Sequence, residues 1–113
     1  MTNQEAFSKV ARHLLKQNAR SMIDDHCAYR ANNGLRCAVG CLLSDAEYDP
    51  VWDQRVISVT DLRIQFAPPS LAGLDGDLLS ELQMLHDSEE PAQWRCLLER
   101  TAARFGLTMP EDV

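Results

Sequence analysis

The sequence predicts an α+β fold: a mostly helical single domain over residues 1–113, with about four helices and a small two-stranded β-hairpin near residues 27–37. Three observations predict it. Apolar residues recur at helical spacing near both ends of the chain. Asn33-Gly34, a pair tolerant of positive φ, sits between two short stretches that alternate in character. Helix start and stop residues fall where the stripes begin and end.

The first helix opens with Thr2 and Glu5, an S/T-x-x-E capping box in which each side chain takes the other residue's exposed backbone donor. Phe7, Val10, Ala11, Leu14 and Leu15 then form one stripe. Lys9, Arg12, His13 and Lys16 occupy the remaining faces, so His13 is expected in solvent. Cys27-Ala28-Tyr29-Arg30 and Leu35-Arg36-Cys37 flank Ala31-Asn32-Asn33-Gly34 and read as the hairpin. The apolar run Cys37–Leu43 reads as a short buried helix, in which Gly40 lets another backbone come close. Ser44 and Glu47 form a second capping box, and Asp49-Pro50 ends that turn.

Residues 51–77 carry the weakest pattern. Val56–Thr60 reads as a short strand, Pro68-Pro69 as a break, and Gly73 with Asp75-Gly76-Asp77 as a turn into a helix capped by Asp77. Leu78, Leu79, Leu82 and Leu85 stripe that helix. Trp94, Leu97, Leu98, Thr101, Ala102 and Phe105 stripe the last one, with Pro91 at its start and Gly106-Leu107 as its stop. The short link from His86 to Pro91 predicts an antiparallel helical pair.

Composition narrows the function. Of 113 residues, 45% are hydrophobic and 25% charged, as in ordinary globular chains, which excludes a disordered or collagen-like protein. No apolar run reaches the ~20 residues of a membrane span, and Met1-Thr2-Asn3-Gln4-Glu5 lacks the basic start of a secretion signal. A cytoplasmic protein with no membrane partner is expected. Acidic residues number 17 against 11 basic ones, a net charge of -6. That balance argues against direct nucleic-acid binding, which favours a basic surplus, and fits a partner with a basic surface.

Four sets of residues are candidates for chemistry or binding. His26, Cys27, Cys37 and Cys41 offer thiolates and an imidazole of the kind zinc selects, in a zinc-stabilised subunit. Their spacing contains no Cys-x-x-Cys knuckle, and buried thiols packing as small hydrophobes are the simpler reading, with no metal or cofactor. Cys27 or Cys41 with His86, oriented by Asp87, would make a small thiol enzyme, although no nucleophile signature surrounds either cysteine. Tyr29, Arg30 and Asn33 on the hairpin would make a binding patch, since Tyr and Arg dominate interface energetics. The simpler reading is that Asn32 and Asn33 only make the turn and Tyr29 only covers the core. Asp24, Asp25, Glu89 and Glu90 would face a basic partner.

The segment Cys27-Ala28-Tyr29-Arg30…Gly34-Leu35-Arg36-Cys37-Ala38-Val39-Gly40-Cys41-Leu42-Leu43 resembles a family of small uncharacterised proteins of bacteriophages, prophages and bacterial genomes. The resemblance extends to Phe7…His13-Leu14-Leu15, to Leu82-Gln83…Leu85-His86-Asp87 and to Trp94…Phe105-Gly106-Leu107. Where those proteins often read Arg-Gly-Pro before the turn, this chain has Arg30-Ala31-Asn32. The resemblance carries over no catalytic residue. It implies a setting: an inhibitor or modulator of a host protein complex, of the anti-defence or anti-CRISPR type, acting by protein–protein contact.

Overall fold

A computed structural model describes residues 1–113. Helix α1 (Asn3–Gln17) is followed by a minimal antiparallel pair, β1 (Met22–Ile23) and β2 (His26–Cys27). A 3-10 turn at Gly40–Leu42 leads to the one-turn helices α2 (Val51–Gln54) and α3 (Val59–Asp61). Helix α3 runs on into a π-helical turn, Leu62–Phe66. Helices α4 (Gly76–Ser88) and α5 (Trp94–Phe105) close the chain. The predicted class, α+β and mostly helical, is what forms.

The long helices arise from local rules. Thr2 and Glu5 exchange both hydrogen bonds of the predicted capping box. Their helix buries Ala6, Phe7, Val10, Ala11 and Leu14 on the predicted stripe. Helix α5 ends at Gly106 in the left-handed region (φ 67°), and Leu107 N–H donates to Ala102 O, the closing bond of a Schellman stop. The core joins α1, α4 and α5 with the Cys37–Leu43 run, and Trp94, Phe7, Leu78, Leu79, Leu82 and Leu98 are fully buried in it. Gly40 permits this packing, because a β-carbon there would stand 2.1 Å from the Tyr29 carbonyl oxygen.

Several of the shorter elements and caps differ from the expectation. The two-stranded ladder lies at residues 22–27, turning at Asp24 with φ 55°, and not at 27–37. Around Asn33-Gly34 only one bridge forms, between Arg30 and Arg36. Val56–Thr60 is not a strand. Ser58 instead caps α3 by accepting from Asp61 N–H. Asp49-Pro50 opens α2 instead of ending the preceding turn. Asp75, not Asp77, caps α4, accepting from the Asp77 and Leu78 N–H groups. His13 is half-buried and donates from Nε2 to Arg36 O at 2.9 Å. Burial holds its pKa below the usual value.

Candidate functional site

Two buried polar nodes tie the loops to the helices. The first is His86, fully buried near the end of α4 because Leu82 and Leu85 turn that face of the helix inward. Its Nε2 accepts the Ser21 N–H at 3.0 Å, so the ring proton sits on Nδ1 and is donated to Asp87 Oδ1 at 2.7 Å. Trp94 stacks on the ring with centroids 5.5 Å apart. Gln83, one helical turn before Asp87, donates to the same Oδ1 at 3.0 Å and accepts from Val39 N–H.

The second node is Asp53, 5% exposed. Its carboxylate accepts from Tyr29 N–H at 2.7 Å, from Arg30 N–H at 3.2 Å and from the Tyr48 hydroxyl. It thereby holds the strand leading out of β2 against α2. Three backbone or hydroxyl donors on one carboxylate are what a buried charge requires.

Between these nodes runs an open groove of about 370 Å³. Tyr29, Trp52 and Asp53 form its buried floor, and α4 contributes Ser80, Gln83, Met84 and Asp87. Val56–Thr60 lines it as well. Two of its residues are large apolar side chains left in solvent: Val56 at 58% exposure and Met84 at 64%. Val56 also has φ 51°, a conformation a β-branched residue adopts only under strain. The indole N–H of Trp52 is buried without an acceptor. Met84 borders a second groove as well, of about 530 Å³, between α4 and α5.

The sequence-predicted residues scatter over this geometry. Cys27, His86 and Asp87 do come together, with one ligand-capable atom of each within 4.8 Å of the others. Cys41 does not join them; it is buried in the core and its thiol donates to Ala38 O. Burial pushes the Cys27 thiol up to about 11, with the Asp87 charge adding to it, and pushes Cys41 to about 12. Both ring nitrogens of His86 are engaged, so no lone pair is left to take a thiol proton. The same tautomer opposes a metal on this trio: an ion on Nδ1 would leave a proton on Nε2 facing the Ser21 N–H, donor against donor.

The set His26, Cys27, Cys37 and Cys41 is not assembled either. Cys37 is fully buried in the core, and His26 leans toward Asp25 at 3.8 Å. Of the hairpin patch, Tyr29 belongs to the core at 6% exposure, its hydroxyl donating to Ile57 O. The Arg30 guanidinium holds Asp45 (2.8 Å) and Leu43 O through its two terminal nitrogens, leaves Nε buried without an acceptor and lies over the Tyr48 ring. Asn33 alone is exposed on the surface, and its side-chain oxygen accepts from the Leu35 N–H at 3.4 Å across the turn. Asp53, Val56, Gln83 and Met84 were not singled out from the sequence. For Gln83 and Asp87 the i, i+4 spacing was a usable signal. For Asp53 and Val56 no local pattern points to the role.

Compared with known proteins, the chain matches no family model, no curated protein and no solved structure. No helix is long and apolar enough to cross a membrane.

Proposed function

We propose that the protein is a protein-interaction domain that docks on a partner through the groove and its apolar rim. The observation that carries this reading is where the chain leaves apolar surface in water. Five large hydrophobic residues are exposed, and three of them, Val56, Ile64 (76%) and Phe66 (39%), fall within residues 56–66. A fourth, Met84, lines the same groove as Val56. Val56 and Met84 lie in the groove while Ile64 and Phe66 do not line it, and exposed apolar side chains at a concave surface mark interaction sites more often than scattered ones do. The resemblance to phage and prophage proteins supplies the setting, a modulator of a host complex, and the net charge of -6 supports a basic partner surface. Thiol chemistry is the weaker reading, because the Cys27 thiol stays protonated at neutral pH and His86 has no free nitrogen.

The test is capture from host lysate with the native chain and with an Ile64→Glu/Met84→Glu double variant as baits, read by quantitative mass spectrometry. Both positions are exposed, so each change should alter stability by no more than about 0.5 kcal/mol. The expected result is a protein retained by the native chain and lost by the double variant. Identical retained sets would overturn the reading.

A further inference from the structure

We infer that the groove between α4 and residues 56–60 takes one lysine or arginine side chain of the partner, its charged head on Asp87. The inference rests on the interaction reading and names what that surface grips. None of the residues lining the groove is Lys, Arg or His, while two are the carboxylates Asp53 and Asp87. Asp53 has its charge met by three internal donors. Asp87 does not: the hydrogen bonds from His86 and Gln83 both go to Oδ1, and the only other internal group beside the carboxylate is the uncharged Cys27 thiol. The imidazole that supplies one of them is neutral in this tautomer, so the Asp87 charge has no counter-ion within the groove. Its side chain is 37% exposed, leaving Oδ2 open to a donor from outside. Arg20, close enough to bear on the Cys27 thiol, is turned away to Glu90 Oε1 (2.6 Å) and Glu89 O.

The rest of the groove suits a long aliphatic stem. Met84 and Val56 are exposed beside the carboxylate, and Ile57 and Val59 also line the site. Lysine and arginine pack their methylene stems on apolar surface and carry the charge at the tip. An anionic occupant would meet two carboxylates and no cation. A purely apolar one would cover Asp87 without neutralising it, which is costly. The acidic balance of the whole chain draws a basic segment toward this face.

The experiment is a chemical-shift titration of the isotope-labelled full chain with four blocked tripeptides, carrying Lys, Arg, norleucine or Glu between two glycines. Lys and Arg peptides are expected to shift the amides of Thr60, Ser80, Gln83 and Met84 to saturation, and norleucine and Glu peptides are not. Asp87→Asn keeps an acceptor for His86 and should weaken the Lys peptide about tenfold, while Glu81→Gln, outside the groove, should leave it unchanged. If Asp87→Asn perturbs the fold, salt decides on the native chain: the Lys peptide should weaken between low and high sodium chloride. Equal binding of the Lys and norleucine peptides, or salt-independent Lys binding, overturns the cation anchor. No shift from any peptide overturns it too. In these cases the interaction reading stands or falls separately, on the lysate comparison with Ile64→Glu/Met84→Glu.

Discussion

The α1–α4–α5 core and the segment from Val51 to Phe66 are built from similar residues and fold in opposite ways. In the core, apolar residues recur every three or four positions and face one another; Leu78, Leu79, Leu82, Trp94 and Leu98 are each at 0% exposure. In the middle segment Val56, Ile64 and Phe66 face solvent, and the backbone passes through two left-handed non-glycine residues, Val56 and, just beyond, Ala67. Three helical pieces follow one another there without one continuous helix forming. The difference teaches that the middle segment buries Trp52, Asp53, Val59 and Leu62 but gathers its remaining apolar residues on no single buried face. Strain and exposed apolar surface persist only where the surrounding structure holds them.

The largest effect should come from breaking the core side of that comparison. Trp94→Ala removes a fully buried side chain stacked on His86 and should cost about 3–5 kcal/mol in urea unfolding, whereas Phe66→Ala, 39% exposed, should cost far less. Equal losses would erase the distinction between the two regions. Next comes His86→Ala, which leaves the buried Ser21 N–H without its acceptor. It should cost about 1–3 kcal/mol for that donor, with slowed exchange at the Ser21 amide lost. A His86 variant of native stability would mean the node is not structural.

A smaller change of opposite sign sharpens the other side. Val56→Gly relieves the left-handed strain and should stabilise the chain by about 1 kcal/mol in thermal unfolding. It should also weaken partner retention, since the exposed isopropyl group is lost from the groove. A less stable Val56→Gly chain would show that the added freedom of the unfolded chain outweighs the strain relieved at φ 51°.

The smallest effect concerns pH. Burial pulls the Glu47 carboxyl up, but hydrogen bonds from Ser70 and Ser44 outweigh it and hold its pKa at about 2, against an ordinary 4.5. A group depressed in the folded state stabilises fully above its unfolded value and loses that contribution as pH falls through the folded one. The native chain should therefore lose more stability than Glu47→Gln between pH 4.5 and 2, measured as urea midpoints. The same loss in both would remove Glu47 from the acid response.

What could be read from the chain follows the range of each interaction. The Thr2/Glu5 box, the Ser44/Glu47 box, the Gly106 stop and the apolar stripes span at most a few residues, and all of them form. Gly40 was legible as a close approach, though not that Tyr29 makes it. The ladder at residues 22–27 escaped because two residues per strand carry no alternation, and Asp24-Asp25 is a poor turn signal beside Asn33-Gly34. Val56–Thr60 looked like a strand from its β-branched content, but Ser58 found a helical donor to cap and no neighbouring strand offered a ladder.

Sequence by itself determined the three long helices, the start of the first and the stop of the last, their apolar faces and the acidic balance, because those depend on side-chain period, backbone preference and charge. Only the tertiary structure decided the site. It brought Ser21 to His86 across 65 positions and Tyr29 to Asp53 across 24. By doing so it engaged both ring nitrogens of His86 and placed the Asp87 carboxylate in the groove that Met84 lines. The physical reason is that a buried polar group must find its partner wherever the packed core places one, and nothing in a local pattern names that partner.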